Sequence, residues 1–482
     1  MKKSKIVIVV QCRYRSTRLP GKALLPFVDN MSILEFLLRR LLLVKKIDDI
    51  ILTTGKHKSN KPIIEISNKL NIKVIEGNEK NVLKRFCDAA RFSNADIIVR
   101  VCADNPLTDP FLISELINFF VSKKDIDHLS TFKKLSLPYG SGCAIFSRKA
   151  LFLTSLKSKN DLFSKEHVEP FMLKSNLIKT HYYKKKGFLH FPDLRLSIDY
   201  LKDYEFLKPI VSYLYNKKKF NFRTQDVISL IKKPKVALFA NGEFGLMVTK
   251  FLKSNNIDIV CVITHPDINA KKKKEIIDAS KLDKKKIIDY KQLKKNQRWI
   301  NKFEPSIALS CWSSYIFNDE MINKFPLGVY NFHNSLLPTH GGSGANIWAI
   351  IDKKKTGATM HRISTKIDAG PIIDQRQIQY TFLDTGYSLL KKQHKKMLML
   401  LKNNWQKILV NKHTYLNSNH TRSFIKKKIR DKFKQINLNK KYKAIDFINI
   451  LRAYQFSNKD SSFFQDKKKL WNLHIKITKR KT

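Results

Sequence analysis

Two stretches of this 482-residue chain hold side chains whose types and spacing suit chemistry. In the octet Asn331-Phe332-His333-Asn334-Ser335-Leu336-Leu337-Pro338, an amide and an imidazole stand two residues apart where an apolar run gives way to a turn. Residues i and i+2 of a strand share a face. A strand ending at Val329 to His333 therefore projects Asn331 and His333 together beyond its carboxyl edge, the ligand crevice of an open α/β sheet. There, an amide N–H and a protonated imidazole could both donate to a developing oxyanion. A buried Asn and a His satisfied by backbone is the other reading of N-x-H alone. The second stretch, Gln11 to Lys22, carries Arg13, Arg15, Arg18 and Lys22, the hydroxyls of Ser16 and Thr17, and a helix-incompatible Pro20-Gly21. Cations and free backbone N–H groups in such a loop can hold a triphosphate. A solvated basic loop is the alternative that these residues allow.

The elements that would position these groups are legible in outline. Residues 6 to 10, IVIVV, are β-branched without alternation, as in a strand buried on both faces of a parallel sheet, and the basic loop follows directly. The chain reads IKKPK at 231 to 235, after which KVALFANGEFGLMVTKFL predicts strand, turn and a helix phased by Val248, Phe251 and Leu252. The strand IDIVCVITH then completes the opening of a Rossmann-like unit. The G-x-x-G of Gly242 and Gly245 does not by itself indicate a dinucleotide. SIALSCW at 306 to 312 is expected to neighbour the octet's strand. A helix after Asp384 with Leu389, Leu390, Met397, Leu400 and Leu401 closes this region. Residues 411 to 440 read as a partly mobile polar connector. A helix phased by Phe447, Leu451 and Tyr454 and a final strand, LWNLHIKI, end the chain.

With its flanks from Pro305 to Leu390, the octet resembles the 10-formyltetrahydrofolate-dependent formyltransferases, because NFHNSLLP is followed by GGSGANIWAIIDKKKTGAT and by KIDAGPII. The resemblance implies that Asn331 and His333 act with Asp368 of the D-[TA]-G segment. Asp368 would sustain charge on the ring and take up, directly or through water, the proton lost by an attacking amine. The tail, where LRA recurs, resembles the small C-terminal piece of sugar-type formyltransferases.

The basic loop belongs to a second resemblance, over about residues 4 to 230, to cytidylyltransferases that activate acidic sugars, especially the spore-coat-polysaccharide type. It rests on RYRSTRLPGKAL, NVLKRF at 81 to 86, VRVCADNPLTDP at 99 to 110, EHVEPF at 166 to 171 and LRLSIDYLKDYEFL at 194 to 207. It implies that Arg13, Ser16, Arg18, Gly21 and Lys22 bind CTP, and that Asp104 and Asp199, each after an apolar strand-like run, hold Mg2+. Where that family carries GLDVEVF, this chain has Gly140-Ser141-Gly142-Cys143-Ala144-Ile145-Phe146. Two acidic positions in a loop expected to touch the sugar are thus Gly142 and Ala144, which leaves the acceptor open.

Composition bounds the rest. At this length about three domains are expected: a cytidylyltransferase-like nucleotide-sugar domain over 1–231, a formyltransferase catalytic domain over 235–410 and its C-terminal subdomain over 411–482. The fold class is α/β, two Rossmann-like mostly parallel sheets with a small C-terminal α+β piece. The net charge of +53 would suit nucleic acid or an acidic membrane. Lysine is instead spread in short runs among Ile, Asn and Phe, the mark of a compositional bias. The six cysteines form no C-x-x-C pair, which argues against zinc and disulfides and for a reducing compartment. The N-terminal apolar run is too short for a signal or a span. The sequence thus predicts a bifunctional cytoplasmic enzyme of surface-glycan biosynthesis. It would use CTP, an acidic or amino sugar and 10-formyltetrahydrofolate, with a homodimer as the assembly to test and nucleic acid and membrane disfavoured as partners. A methionyl-tRNA formyltransferase-like activity and a non-catalytic nucleotide-sugar module in the first half are the alternatives.

Overall fold

A run such as IVIVV cannot share itself between water and core, so both of its faces need cover. In the computed structural model, which describes residues 3–131, 137–184, 187–416, 424–425, 427–457, 460–467 and 469–478, it forms β1 (Ile6–Gln11). Ile6, Ile8 and Val10 join one apolar cluster while Val7 and Val9 join another, the period-2 alternation of a strand covered on both sides. The sheet is completed by β2 (Asp49–Gly55), β3 (Lys73–Gly77), β4 (Ile97–Cys102), β5 (His128–Ser130), β6 (Ala144–Ser147) and β7 (Thr180–Tyr182), in the order β3-β2-β1-β4-β6-β5-β7. The first four strands in that order are parallel, and β6 runs antiparallel to both β4 and β5. Four helices bear on the site: α1 (Val82–Ser93), whose first turn is capped by the Asn81 side chain, α2 (Leu162–His167), α3 (Pro170–Lys174) and α4 (Leu201–Lys218).

The chain divides into two compact units, Met1–Lys232 and Lys233–Thr482. The second unit begins with β8 (Lys235–Ala240) and α5 (Gly242–Ser254), and its sheet adds β9 (Asp258–Thr264), β10 (Ile287–Asp289), β11 (Ile307–Cys311), β12 (Val329–His333), β13 (Thr356–Arg362) and β14 (Ile372–Ile378). The order is β10-β9-β8-β11-β12-β13-β14; it is parallel up to β12, after which β13 runs antiparallel to both of its neighbours. As expected, β11 pairs with the strand that carries the octet. Val248 and Leu252 are buried on α5 as predicted, whereas Phe251 is only partly covered and Phe244 takes the deeper position.

Helix α6 (Ala345–Ile351) and the long α7 (Gly386–Leu409) finish the core, with Leu389, Met397, Leu400 and Leu401 buried. The mobile connector expected over 411 to 440 falls partly outside the described residues, and its described part includes α8 (Lys427–Lys434). The tail then forms α9 (Ala444–Tyr454) and a hairpin, β15 (Ser462–Asp466) with β16 (Lys469–Leu473). The expected last strand is therefore shorter, and its partner strand had no signature in the sequence. The LRA segment latches α9 to the core. Buried Arg452 donates through Nη1 to the carbonyls of Thr381, Phe382 and Asp384 at 3.1, 3.0 and 3.0 Å. Gly386 opens α7 against the same segment, where a Cβ would stand 2.0 Å from the carbonyl oxygen of Ala453. No helix among the described residues is long and apolar enough to cross a membrane.

Candidate active sites

The loop after β1 cannot continue the sheet past Pro20-Gly21. Gly21 turns it at φ +71°, a region open to glycine without strain, and its N–H donates to Tyr14 O at 2.9 Å. Gly21 itself does not line the cavity that the loop encloses; Arg13, Ser16, Arg18 and Lys22 do, around a volume of about 510 Å³. Asp104 and Asp199 line the same cavity. Asp104 follows β4 as predicted, whereas the run before Asp199 is no strand of the sheet. It is an extended segment held by Leu196 N–H on Tyr139 O at 2.7 Å and Ile198 N–H on Asp104 O at 2.8 Å. Its apolar residues Leu194, Leu196 and Ile198 are fully buried, which gave it a strand-like pattern.

These charges answer one another. Lys22 Nζ donates to Asp104 Oδ2 at 2.8 Å and Asp199 Oδ1 at 3.1 Å, and Arg18 Nη2 reaches Asp199 Oδ1 at 2.6 Å. Arg195 also pairs with Asp199. Among the described residues no three His, Cys, Asp or Glu side chains form a metal-binding group. The Lys22 ammonium nevertheless marks a position where one positive charge satisfies both carboxylates. Such a pair suits a hard divalent ion that takes its other oxygens from phosphate and water.

The far wall of the cavity was not assigned from the sequence. Glu166 pairs with Arg13 at 2.8 Å, and His167 and Glu169 also line the space. They are aimed by a tight three-residue turn in which Val168, fully buried, sits at φ +67° and ψ −52° while Glu169 N–H donates to His167 O at 2.8 Å. A β-branched residue in this region is strained, and such strain clusters at functional sites. Burial works to raise the pKa of Glu169, but the His128 hydrogen bond and the Arg100 guanidinium outweigh it and hold the carboxyl below its usual range. Gly142 and Ala144 do not line the cavity, whereas Tyr139, just before that segment, does. A Cβ at Gly142 would lie 2.5 Å from Thr131 Oγ1. Ala144 is buried in β6 directly across the ladder from Arg100, whose carboxylate partner comes instead from Glu169 at 2.6 Å.

In the second unit, the register of β12 on β13 places Asn331 opposite His361. Their side chains meet at 3.0 Å. His361 Nδ1 lies 3.1 Å from Arg362 O, which can only accept, so this nitrogen carries the hydrogen and Nε2 accepts from the Asn331 amide. Burial first, opposed by Asp368 and reinforced by His333, pushes the His361 pKa down to about 4, so the ring is neutral near pH 7. Asp368, at φ +49°, lies between two imidazoles, 3.6 Å from His333 Nδ1 and 3.8 Å from His361 Nε2. Its Oδ2 also accepts Gly342 N–H at 2.8 Å. His333 donates through Nε2 to His340 O at 2.9 Å. Asn331, His361 and Asp368 line a cavity of about 190 Å³, while His333 stands outside its lining, 6% exposed. The structure thus brings together all three predicted residues of this site and adds His361.

Comparison with known proteins matches three stretches of the chain. Residues 7–225 match the family described as cytidylyltransferase, residues 234–402 the formyl transferase family, and residues 430–479 the N-formyltransferase dimerization C-terminal domain. An uncharacterized protein of Methanocaldococcus jannaschii is 36% identical over 228 residues, 47% of this chain and 89% of that protein. The bifunctional polymyxin resistance protein ArnA of Wigglesworthia glossinidia brevipalpis is 33% identical over 187 residues, 37% of this chain; the match spans only 28% of ArnA. Among solved structures, a cytidylyltransferase from Leptospira borgpetersenii is 30% identical with a TM-score of 0.45, covering 48% of this chain and 95% of its own.

Proposed function

Because the chain belongs to the cytidylyltransferase family through residues 7–225 and to the formyl transferase family through residues 234–402, and is a transferase in both, we propose that it serves surface-glycan biosynthesis with two reactions. The first unit joins CTP to a sugar hydroxyl, giving a CMP-sugar and pyrophosphate. The second moves a formyl group from 10-formyltetrahydrofolate to the amine of an amino sugar. The observation that carries this reading is that each unit gathers the groups its own chemistry needs around one cavity at the carboxyl ends of its parallel strands.

In the first reaction the sugar oxygen attacks the α-phosphorus in line, and the bond to the β-phosphate oxygen breaks. Arg13, Arg18 and Lys22 would exchange their carboxylate partners for phosphate oxygens and neutralise the leaving pyrophosphate. Asp104 and Asp199 would hold Mg2+, which supplies further positive charge when bound. In the second reaction the amine attacks the formyl carbon. Asn331, oriented by its bond to His361, retains an amide N–H for the oxyanion, and Asp368 receives the amine proton directly or through water and passes it to the folate nitrogen as the bond from that nitrogen to the formyl carbon breaks. The described cysteines are all free thiols, consistent with a cytoplasmic setting. A second copy of the chain would cover Leu470 and Trp471, which stand 67% and 49% exposed on the hairpin of the matched dimerization segment. Mass spectrometry tests the whole proposal. CMP- or dTDP-linked amino sugars incubated with the protein and 10-formyltetrahydrofolate should gain the mass of one formyl group, and CTP with a sugar acceptor should yield a CMP-sugar; the absence of both products would refute it.

A further inference from the structure

The first reaction releases a proton as well as pyrophosphate, because the attacking sugar hydroxyl loses its hydrogen as the new bond to phosphorus forms. Few groups around the cavity of the first unit are able to take it. Asp104 and Asp199 are held by Lys22 and Arg18, and Glu166 by Arg13. Burial works to raise the Glu169 pKa, but His128 and Arg100 outweigh it and leave that carboxylate a weak base. Burial also pushes the Cys12 and Cys102 thiols up to about 12 and 11, so both keep their hydrogens near pH 7. His167 remains, the one imidazole that lines the cavity among the described residues.

Its setting suits a proton acceptor. His167 is exposed, and neither ring nitrogen has a hydrogen-bond partner among the described residues. The Phe163 ring, also on the cavity, packs against the imidazole with centroids 4.5 Å apart, and the strained turn at Val168 follows directly. Burial first, opposed by Glu166 and reinforced by Arg100 and Arg13, lowers the ring's pKa from its ordinary 6.5, so it is neutral near pH 7. Those three are the charges that bear on it, from its own helix, from β4 and from the β1 loop. In-line displacement puts the entering oxygen opposite the leaving pyrophosphate. With the polyphosphate on the β1 loop, the acceptor hydroxyl therefore comes from the far wall, where His167 stands. We propose that His167 is the general base of the first reaction: a ring nitrogen takes the hydroxyl proton as the sugar oxygen bonds to the α-phosphorus and the bond to the β-phosphate oxygen breaks. The proton then passes to solvent. This assignment rests on the cytidylyltransferase reading of the unit. It also ties the base to the nucleotide, because a triphosphate that draws Arg13 away leaves Glu166 unpaired beside His167, where its charge favours the imidazolium that proton transfer creates.

The test follows pyrophosphate release from CTP by full-length protein, with N-acetylneuraminate, glucosamine or water as the hydroxyl donor, over about pH 5 to 9. His167→Gln should lower kcat by about 10²- to 10⁴-fold, the scale of one general base, while KM for CTP changes by less than about twofold. In the wild type kcat should fall about tenfold per pH unit below the ring's pKa, because acid protonates the base, and the variant should lose that limb. Free imidazole should restore part of the activity of His167→Ala. A loss confined to KM would make His167 a binding contact, and an acid limb retained in the variant would put the base elsewhere; either result overturns the assignment. Should the variants fail to fold by circular dichroism, diethyl pyrocarbonate on the wild type decides the matter. Modification of His167, read by peptide mass spectrometry, should track the loss of activity and reverse with hydroxylamine, whereas full activity with His167 modified overturns the assignment. A wild type that releases no pyrophosphate with either sugar or with water removes the cytidylyltransferase reading and this assignment together. An active wild type with an equally active His167→Gln removes the assignment alone.

Discussion

The two sites solve opposite electrostatic problems. In the first unit the charges come from segments far apart in sequence and meet as ion pairs, Arg13 with Glu166, Arg18 with Asp199, and Lys22 with both Asp104 and Asp199. Arg13 and Arg18 keep 33% and 49% of their side-chain surface exposed, so they can change partner when a polyanion arrives. In the second unit the polar groups are ladder neighbours and a single loop carboxylate, nearly dry, around a cavity less than half as large. There His361 is neutral and acts as a fixed acceptor. Polyphosphate binding calls for exchangeable counter-charges; a formyl carbonyl calls for donors already aimed where charge will develop.

The sharpest way to break this contrast is to remove one carboxylate from each site. Asp368→Asn should lower kcat for formyl transfer by about 10²- to 10⁴-fold, the scale of general acid–base help, while folate affinity stays nearly constant. Asp104→Asn should abolish most pyrophosphate release. Each site takes its side chains from one unit only, so each variant should spare the other reaction. Loss of formylation of a free amino sugar by a folded Asp104→Asn protein would mean that the sites are coupled.

A finer cut separates the reacting groups of the second site from the residue that aims them. His361→Phe removes the acceptor that fixes the Asn331 amide and should cost about 10²-fold in kcat, the order of one lost oxyanion donor, with little change in KM. His361→Gln restores an acceptor and should recover part of the loss; equal defects in both variants would reduce His361 to packing. This residue also shows what the sequence could not convey. Asn331 and His333 were legible because a strand fixes i and i+2 on one face, and Asp368 because its segment is distinctive. His361 reaches the site through the register of β12 on β13, which no local spacing encodes. In the first unit the basic loop and Asp104 were readable as chemistry at a strand end. Asp199 was found by its motif although its segment is not a strand of the sheet, and Arg85, Glu166 and Glu169 lay within the motifs NVLKRF and EHVEPF but had no role until the fold placed them on the cavity. The sheets themselves were easier to read, since unbroken β-branched runs leave few alternatives to a buried parallel strand.

Acid should act on the second unit through its buried imidazoles. His394, packed against Trp312 and Phe244, has its pKa pushed down to about 4 by burial. An unfolded chain takes up that proton as pH falls through about 6.5, the folded protein only near 4, so stability declines as pH drops across this window. At pH 5 the loss from this one residue is about 2 kcal/mol. All five tryptophans lie beyond residue 232, so urea unfolding followed by tryptophan fluorescence reports this unit. The difference between pH 7 and pH 5 should shrink by about that amount in His394→Phe; an unchanged difference would place the acid sensitivity elsewhere.

The smallest effect expected is that of salt, and it bears on which acceptor the second unit serves. In the nucleotide site, added salt weakens the exposed Arg13 and Arg18 pairs and also screens the incoming triphosphate. These changes oppose each other, so KM for CTP should rise only a few-fold between about 0.1 and 0.5 M salt, since the Debye length is already near 10 Å at the lower value. Formyl transfer to a sugar amine should be flatter still, because in the proposed reaction the side chains around Asn331 and Asp368 would act by hydrogen bonding and proton transfer. A transfer-RNA acceptor would behave differently. With a net charge of +53, the chain could neutralise several phosphates, each adding roughly −0.7 to −0.9 to the slope of log affinity against log salt. A shallow slope for an amino-sugar substrate, with no saturable formylation of charged tRNA at physiological salt, supports the sugar reading. A steep slope with efficient tRNA formylation would reassign the second unit and leave the contrast between the two sites resting on the first alone.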